Sequence, residues 1–332
     1  MGKYIFDLNK IQEGDILLLN VDPRISAIMN EKTGSVYHHA MLYTGGSSHI
    51  HSNKGPGVQA ENTVRMLFHD KDAAIALRLK NALHNHLLGN IIDNARTKIG
   101  TEYSGAEAKR TILRRNEDEF EPNRQFCTRF VAQAFADGGL KIVEDANYCT
   151  PFDLANSDVF TIIKNVLKEA NAEELEYASE ENTLPSQQID IHNHILSRAR
   201  EMTGSDIQTI NQLTEFLISH PEYDKEITTM IKKSGYLQMW EKDMHKNPAY
   251  YDFNVFTKDI DKKKWVSASI QLAEVAEDNM YRYETNLYVY RQQYKVKPLE
   301  YIDVHIKLYE KLIEVTAKMM SVAKQLQAAI DE

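Results

Sequence analysis

Residues 36–58, VYHHAMLYTGGSSHIHSNKGPGV, constrain this chain more than any other stretch. Two short apolar runs flank a Gly45-Gly46 turn and carry four of the chain's twelve histidines. Successive side chains along a strand point to opposite faces. His39, Met41 and Tyr43 therefore share one face, and His38, Ala40 and Leu42 share the other. In the second run His49 and His51 point together while Ile50 points away. A hairpin-like pair built from these runs brings His39 and His51 side by side. With a cysteine nearby in the fold, such a pair supplies a base and an orienter to a nucleophile.

Only two cysteines, Cys127 and Cys149, occur in 332 residues. That argues against a disulfide framework and for a reducing compartment. The stretch FCTRFVAQAFA, residues 126–136, places Phe126, Phe130, Val131, Ala134 and Phe135 on one helical band, and Gly138-Gly139 ends it. Cys127 falls in the first turn of that helix. Backbone N–H groups and the helix dipole favour a thiolate there and depress its pKa. A small buried cysteine filling the core weighs equally as a reading of the same residue. Cys149, in NYCTP, reads as structural.

The rest of the first half supplies a frame for these residues. Gly14-Asp15 leads into a buried strand, Ile16 to Leu19, and residues 21–35 read as a loop. After the histidine strands, Gly55-Pro56-Gly57 marks a turn, Val58 to Ala60 extends the sheet, and Glu61 to Phe68 reads as a short helix. Ala73 to Lys80 is a further strand. A helix follows from about His84 to Ile99, with Gly100 as its cap. The charged stretch 101–124 is expected to be a solvated loop or helix, with a lid over a cleft as the sharper alternative.

Apolar residues make up 42% and charged residues 26%, as in an ordinary soluble globular protein. No basic face of the kind nucleic acid requires is evident, so a nucleic-acid partner is not expected. No apolar run reaches the length of a membrane span, and MGKYIFDLNK lacks a signal peptide's basic start and apolar core, so a cytoplasmic location is expected. The net charge of −9 lies almost wholly after residue 165. An acidic, polar stretch at 169–187 reads as a linker between a domain at 1–168 and a helical bundle at 188–332. Ser205 is a candidate cap for a helix through His220. Two long segments, about Lys262–Tyr294 and Pro298–Ile330, are expected to form an antiparallel helical hairpin. Its tyrosine-rich stretch MYRYETNLYVYRQQY reads first as a packing face; a protein partner or self-association through these helices is the other use.

The elements GDILLL, HAMLYTGG, HIHSNKGPGV and FCTRFVAQAF, in that order, resemble the circularly permuted papain-like fold of the NlpC superfamily. In permuted members the histidine precedes the cysteine. The resemblance covers about residues 12–165 and touches two branches: YiiX-like presumed amidases or peptidases, and lecithin:retinol acyltransferase-like enzymes that cleave or transfer lipid acyl chains. It implies an α+β fold with an antiparallel sheet, followed here by the all-α region. It also implies Cys127 as nucleophile, His39 as base and His51 at the third, polar position. A Glu is usual at that position in the first branch and a His in the second, and the spacing of His39 and His51 suits the second. Tyr103, in GTEYSG, resembles a tyrosine that such enzymes place near the substrate. His49 shares the face of His51 and is the alternative orienter or a substrate contact.

The activity so implied is a cysteine hydrolase working through a thioester on an amide, either a peptide or a peptidoglycan-like stem. A lipid ester is the alternative substrate, and a degenerate binding module the alternative role. A metal site from His39, His49 and His51 is the rival chemistry, since His-x-His on a strand can chelate zinc. No carboxylate motif accompanies it and Cys127 would stand idle, so neither metal nor cofactor is expected.

Overall fold

A computed structural model of the chain describes residues 3–81, 85–113 and 121–331. The chain divides into two compact units, 1–189 and 190–332. The strands of the first unit are Tyr4–Phe6 (β1), Ile16–Leu19 (β2), His39–Tyr43 (β3), Ser48–Asn53 (β4), Gly57–Asn62 (β5), Ala74–Leu79 (β6), Phe160–Ile163 (β7) and Leu167–Glu169 (β8). Six of them make an antiparallel sheet in the order β5-β4-β3-β2-β6-β7, and β1 pairs with β8. The helices of this unit are Pro23–Thr33 (α1), Asn85–Thr97 (α2), Gly105–Ile112 (α3), Cys127–Asp137 (α4), Pro151–Ala155 (α5) and Ala172–Ser179 (α6), and Leu184–Thr203 (α7) runs on into the second unit.

Strand alternation sorts the apolar residues into two layers. Ile16, Leu18, Ala40, Leu42, Ile50 and Leu77 face α2 and α4, meeting Ile91, Phe130, Val131 and Phe135. Leu17, Leu19, Met41, Tyr43 and Ala76 face the opposite way, against Phe6, Phe68 and Val166. The continuous apolar run of β2 follows from this: it lies inside the sheet with both faces covered.

Several segments differ from their sequence reading. Residues 21–35 are not a loop but hold α1. Asp22 caps it by accepting from the N–H groups of Arg24 and Ile25, Pro23 opens it, and Gly34 closes it at φ 80°. Its apolar period is faint because only Ser26, Met29 and Thr33 are buried. Glu61 and Asn62 finish β5, and only Thr63–Arg65 turn as a 3-10 helix. The proposed helix start at His84 lies outside the described residues, as does the centre of the charged stretch, 114–120, and with it the lid. What precedes that centre is α3, capped by Ser104. The acidic residues after β8 form α6, opened by an Asn171–Glu174 capping box. Arg65 lies over the Tyr177 ring at 3.8 Å and pairs with Glu180 at 2.7 Å, so α6 is docked rather than extended.

A fully buried ion pair joins α3 to α4: Arg129 meets Glu107, and both are solvent-inaccessible. The Arg129 Nε also donates to the Asn147 carbonyl at 2.9 Å, and the guanidinium lies near the Phe126 and Tyr148 rings.

The second unit is helical, with Ile210–Ser219 (α8), Asp224–Ser234 (α9), Met239–Lys246 (α10), Phe253–Asp259 (α11), Trp265–Val296 (α12) and Glu300–Asp331 (α13). Thr209, rather than Ser205, caps α8. The two 32-residue helices α12 and α13 form the expected hairpin. Among the described residues no helix is long and apolar enough to cross a membrane.

Removing one partner of a buried ion pair strands the other charge. Arg129→Met is therefore expected to destabilise the fold by about 3–5 kcal/mol, read from urea denaturation. A cost below 1 kcal/mol would show that the pair does not hold α3 on α4.

Candidate active site

The register of three strands builds the polar centre. Met41 pairs with His51 and Tyr43 with His49, while across the next ladder His49 pairs with Glu61 and His51 with Gln59. Residues directly opposite share a face, so His39, His49, His51 and Glu61 all project from the same side. The sequence parity of His39 and His51 is realised: His39 Nε2 lies 2.9 Å from His51 Nδ1, with the rings edge-to-face at 74°. Behind them, His51 Nε2 lies 3.3 Å from Glu61 Oε1 and 3.1 Å from Asn53 Nδ2. The bond to His51 draws the Glu61 carboxyl below its ordinary range.

Sequence reasoning missed Glu61 because it placed that residue at a helix start. The available signal was alternation: Val58 enters the core, so Gln59 and Glu61 must turn towards the histidines.

A ring nitrogen either carries a proton or accepts one. The Glu61 carboxylate can only accept, so it fixes the His51 proton on Nε2. Nδ1 of His51 then accepts from His39 Nε2–H, which leaves the His39 Nδ1 lone pair as a base. Asn53 could donate to Nε2 only in the opposite tautomer, and the charged hydrogen bond is the stronger of the two. Burial, and then the neighbouring His51 and His38, hold His39 well below its ordinary value, so it is neutral at neutral pH.

Cys127 is the first residue of α4 and is buried. Phe126 precedes it in extended conformation with no side-chain cap, so the first N–H groups of the helix are left to the sulfur. Burial pushes the thiol up, and the N–H groups of Ala40, Thr128 and Cys127 pull it down without cancelling that effect. The depressed thiol expected at a helix start is thus not found, because desolvation outweighs the N–H dipoles. Ala40 is free to face the sulfur because the β3–β4 ladder ends at Met41–His51.

The sulfur therefore sits against the residue adjoining His39. It arrives from the α4 side of the sheet, while the histidine rings lie on the other. The N–H of Ala40, the residue after His39, faces the sulfur at the open strand end. Among the described residues, no hydrogen bond joins the Cys127 sulfur to His39 or His51.

The remaining candidates separate clearly. Burial, and then the neighbouring Cys127, push the Tyr103 phenol above its ordinary range. Tyr103 also lines a cavity of about 280 Å³ with Lys54, Gly55, Glu102, Gly105 and Arg124. His49 is wholly buried, with Nδ1 3.1 Å from Thr63 Oγ1 and Nε2 unpartnered, so it offers a substrate no surface and does not orient His39. His38 Nε2 accepts from the N–H groups of Val21 and Asp22 and anchors the entry to α1. Cys149 is buried and its thiol donates to the Thr128 carbonyl at 3.4 Å, a structural role. His49, His51 and Glu61 also present ligand atoms within 4.8 Å of one another.

A buried thiol at a helix start against the backbone of Ala40, with a strand-borne histidine pair that comes first in the chain, has the element order of a papain-like cysteine hydrolase in permuted form. Residues 10–190 match the permuted papain-like amidase enzymes of the YaeF/YiiX type, the C92 family, and the chain belongs to that family. This makes it an enzyme of the cysteine-hydrolase type. Among solved structures it is similar to metalloprotein YiiX from Escherichia coli O157:H7, at 12% identity and a TM-score of 0.37, over 46% of this chain and 97% of that one. No curated protein matches.

A raised thiol pKa lowers the thiolate fraction at neutral pH. Alkylation of Cys127 by iodoacetamide should climb with pH and reach its midpoint above the ordinary value of about 8.5, while remaining faster than that of Cys149. A Cys127 rate already at its plateau in mildly acidic solution would show that burial does not govern the thiol.

Proposed function

We propose that this chain hydrolyses an amide through Cys127, His39 and His51, with Glu61 behind them, and that the substrate is a peptide or a peptidoglycan-like stem. The observation that carries this reading is the 2.9 Å His39–His51 contact at the strand end where the Cys127 sulfur meets Ala40. His39 Nδ1 takes the thiol proton as the sulfur attacks the carbonyl carbon, and His51 holds His39 in the required tautomer. The Cys127 backbone N–H receives the developing oxyanion, an interaction worth about 3 kcal/mol in comparable sites. His39 then returns the proton to the departing amine, leaving a thioester. Water attacks the thioester, again with His39 as base, and the acid and the free thiol are released. Tyr103 forms the wall of the cavity that receives the substrate.

An ester-linked acyl chain of a lipid is the second reading. It is favoured by a cavity of about 560 Å³ at the same strand ends, whose lining includes Val21, Ala27, Val36 and Phe68. Intact mass after incubation with phospholipid vesicles tests it: an acyl adduct on Cys127 supports lipid chemistry, and none with no lipid turnover removes it.

For the amide reading, the protein is incubated with peptide amides and peptidoglycan stem peptides, with amine release and intact mass followed together. Turnover with a transient acyl mass on Cys127 is expected. Cys127→Ala and His39→Ala should each lower kcat/KM by about 10³-fold or more, and Glu61→Gln, one bond further from the base, by about tenfold to a hundredfold. Unchanged turnover in Cys127→Ala would overturn the assignment.

A further inference from the structure

We propose that His49, His51 and Glu61 form a binding site for one divalent transition-metal ion, best matched by zinc, and that occupancy switches the histidine relay off. The site stands on its own geometry. Its effect on Cys127 rests on the relay proposed above.

Two imidazoles and a carboxylate are a ligand set that zinc accepts. His49 and His51 stand two apart on β4, and Glu61 on β5 pairs with His49 across the ladder, so three side chains from two adjacent strands of one sheet converge. His51 Nε2 and Glu61 Oε1 are already 3.3 Å apart. That is about the separation of two ligands each roughly 2.0–2.1 Å from a tetrahedral ion. The third donor is the more telling one. His49 is wholly buried, its Nδ1 is matched to the Thr63 hydroxyl, and its Nε2 has no partner. A buried polar atom without a partner is costly, and an ion satisfies it. The Thr63 bond is the outer-shell contact that fixes a ligating imidazole, because a proton held on Nδ1 leaves Nε2 as a lone pair. Glu61 is 38% exposed in its side chain and gives the ion a route from solvent.

Occupancy reverses the tautomers. In the metal-free relay His51 carries its proton on Nε2 and His39 on Nε2. A metal on His51 Nε2 moves that ring's proton to Nδ1, which then donates to His39 Nε2. The His39 proton shifts to Nδ1, the nitrogen that must accept from Cys127. Each ring keeps one proton, so none is gained or lost, but the base is blocked. Asn53 Nδ2, now 3.1 Å from His51 Nε2, is displaced by the ion.

Titrating Zn²⁺ into the full chain carrying Cys127→Ala, followed by calorimetry and by the absorption of substituted Co²⁺, tests the site without the competing thiol. One equivalent should bind, and His49→Gln or Glu61→Gln should each weaken it by about tenfold or more, at least the loss seen for outer-shell partners. No binding, or binding indifferent to both substitutions, overturns the site.

The switch is read separately in the chain with Cys127 intact. Zn²⁺ should slow amide turnover by about tenfold or more, chelation should restore it, and His49→Gln should abolish the effect while still turning over, the loss matching that of a displaced metal partner. Binding in the Cys127→Ala chain with unaltered turnover of the intact chain would overturn the switch alone. If the intact chain turns over no amide even after chelation, the relay reading fails while the calorimetric result stands by itself.

Discussion

The pairing of Met41 with His51 is the constraint on which the rest of this site depends. A slip of one residue would drive His51 into the layer facing α4 and expel Ile50. The apolar side of the hairpin prevents it, because Ala40, Leu42 and Ile50 are each at most 1% exposed and pack with α4 and α2. The turn reinforces the register: Gly45 and Gly46 take φ of 79° and 53°, a region glycine enters without strain, and Thr44 N–H donates to the Ser48 carbonyl at 2.9 Å. The polar constellation is thus positioned by burial of its apolar neighbours. Hydrogen bonds among the histidines adjust a geometry that the core has already set.

Burial also selects the resting protonation state. It raises the Cys127 thiol and lowers His39, so both are neutral at rest, and in the proposed mechanism charge separates only as the sulfur attacks. The N–H groups of Ala40, Cys127 and Thr128 are preset for the charge that then appears. The segment around Tyr103 is held by a second buried arrangement. Glu107 in α3 pairs with Arg129 in α4, and Ser104, next to Tyr103, caps α3. The buried ion pair thereby ties the start of α3, next to Tyr103, to the helix that begins at Cys127.

The features legible in the sequence were those with a strict period. Alternation around Gly45-Gly46 sufficed to pair His39 with His51, and the apolar band of residues 126–136 sufficed to start α4 at Cys127. Where the period was faint the reading failed. PRISAIMNEKT buries little, so its helix is announced only by Asp22, Pro23 and Gly34. Glu61 was misplaced because β5 loses its apolar side chains after Ala60, and a strand without them resembles the start of a polar helix. The raised thiol was beyond reach for another reason. A helix start is visible in sequence, but the depth at which it is buried is a property of the assembled layers.

The serial arrangement of His51 and Glu61 bears on the choice between amide and ester. A histidine at the third position taken alone resembles the acyltransferase-like branch, yet here a carboxylate stands behind it, so both branch features occur in one chain. Thiolate attack is common to both substrates; the departing group distinguishes them. An amine leaves only when protonated, so His39 must hold a proton until the C–N bond breaks, whereas an alkoxide makes a weaker demand. A buried imidazolium is costly, and His39 in this site is pushed well below its ordinary value. In the proposed mechanism Glu61, 3.3 Å from His51, is the negative charge that would compensate it through the His39–His51 contact. A site built only for esters gains little from that carboxylate. Within the proposed function, its presence behind the pair therefore favours the amide.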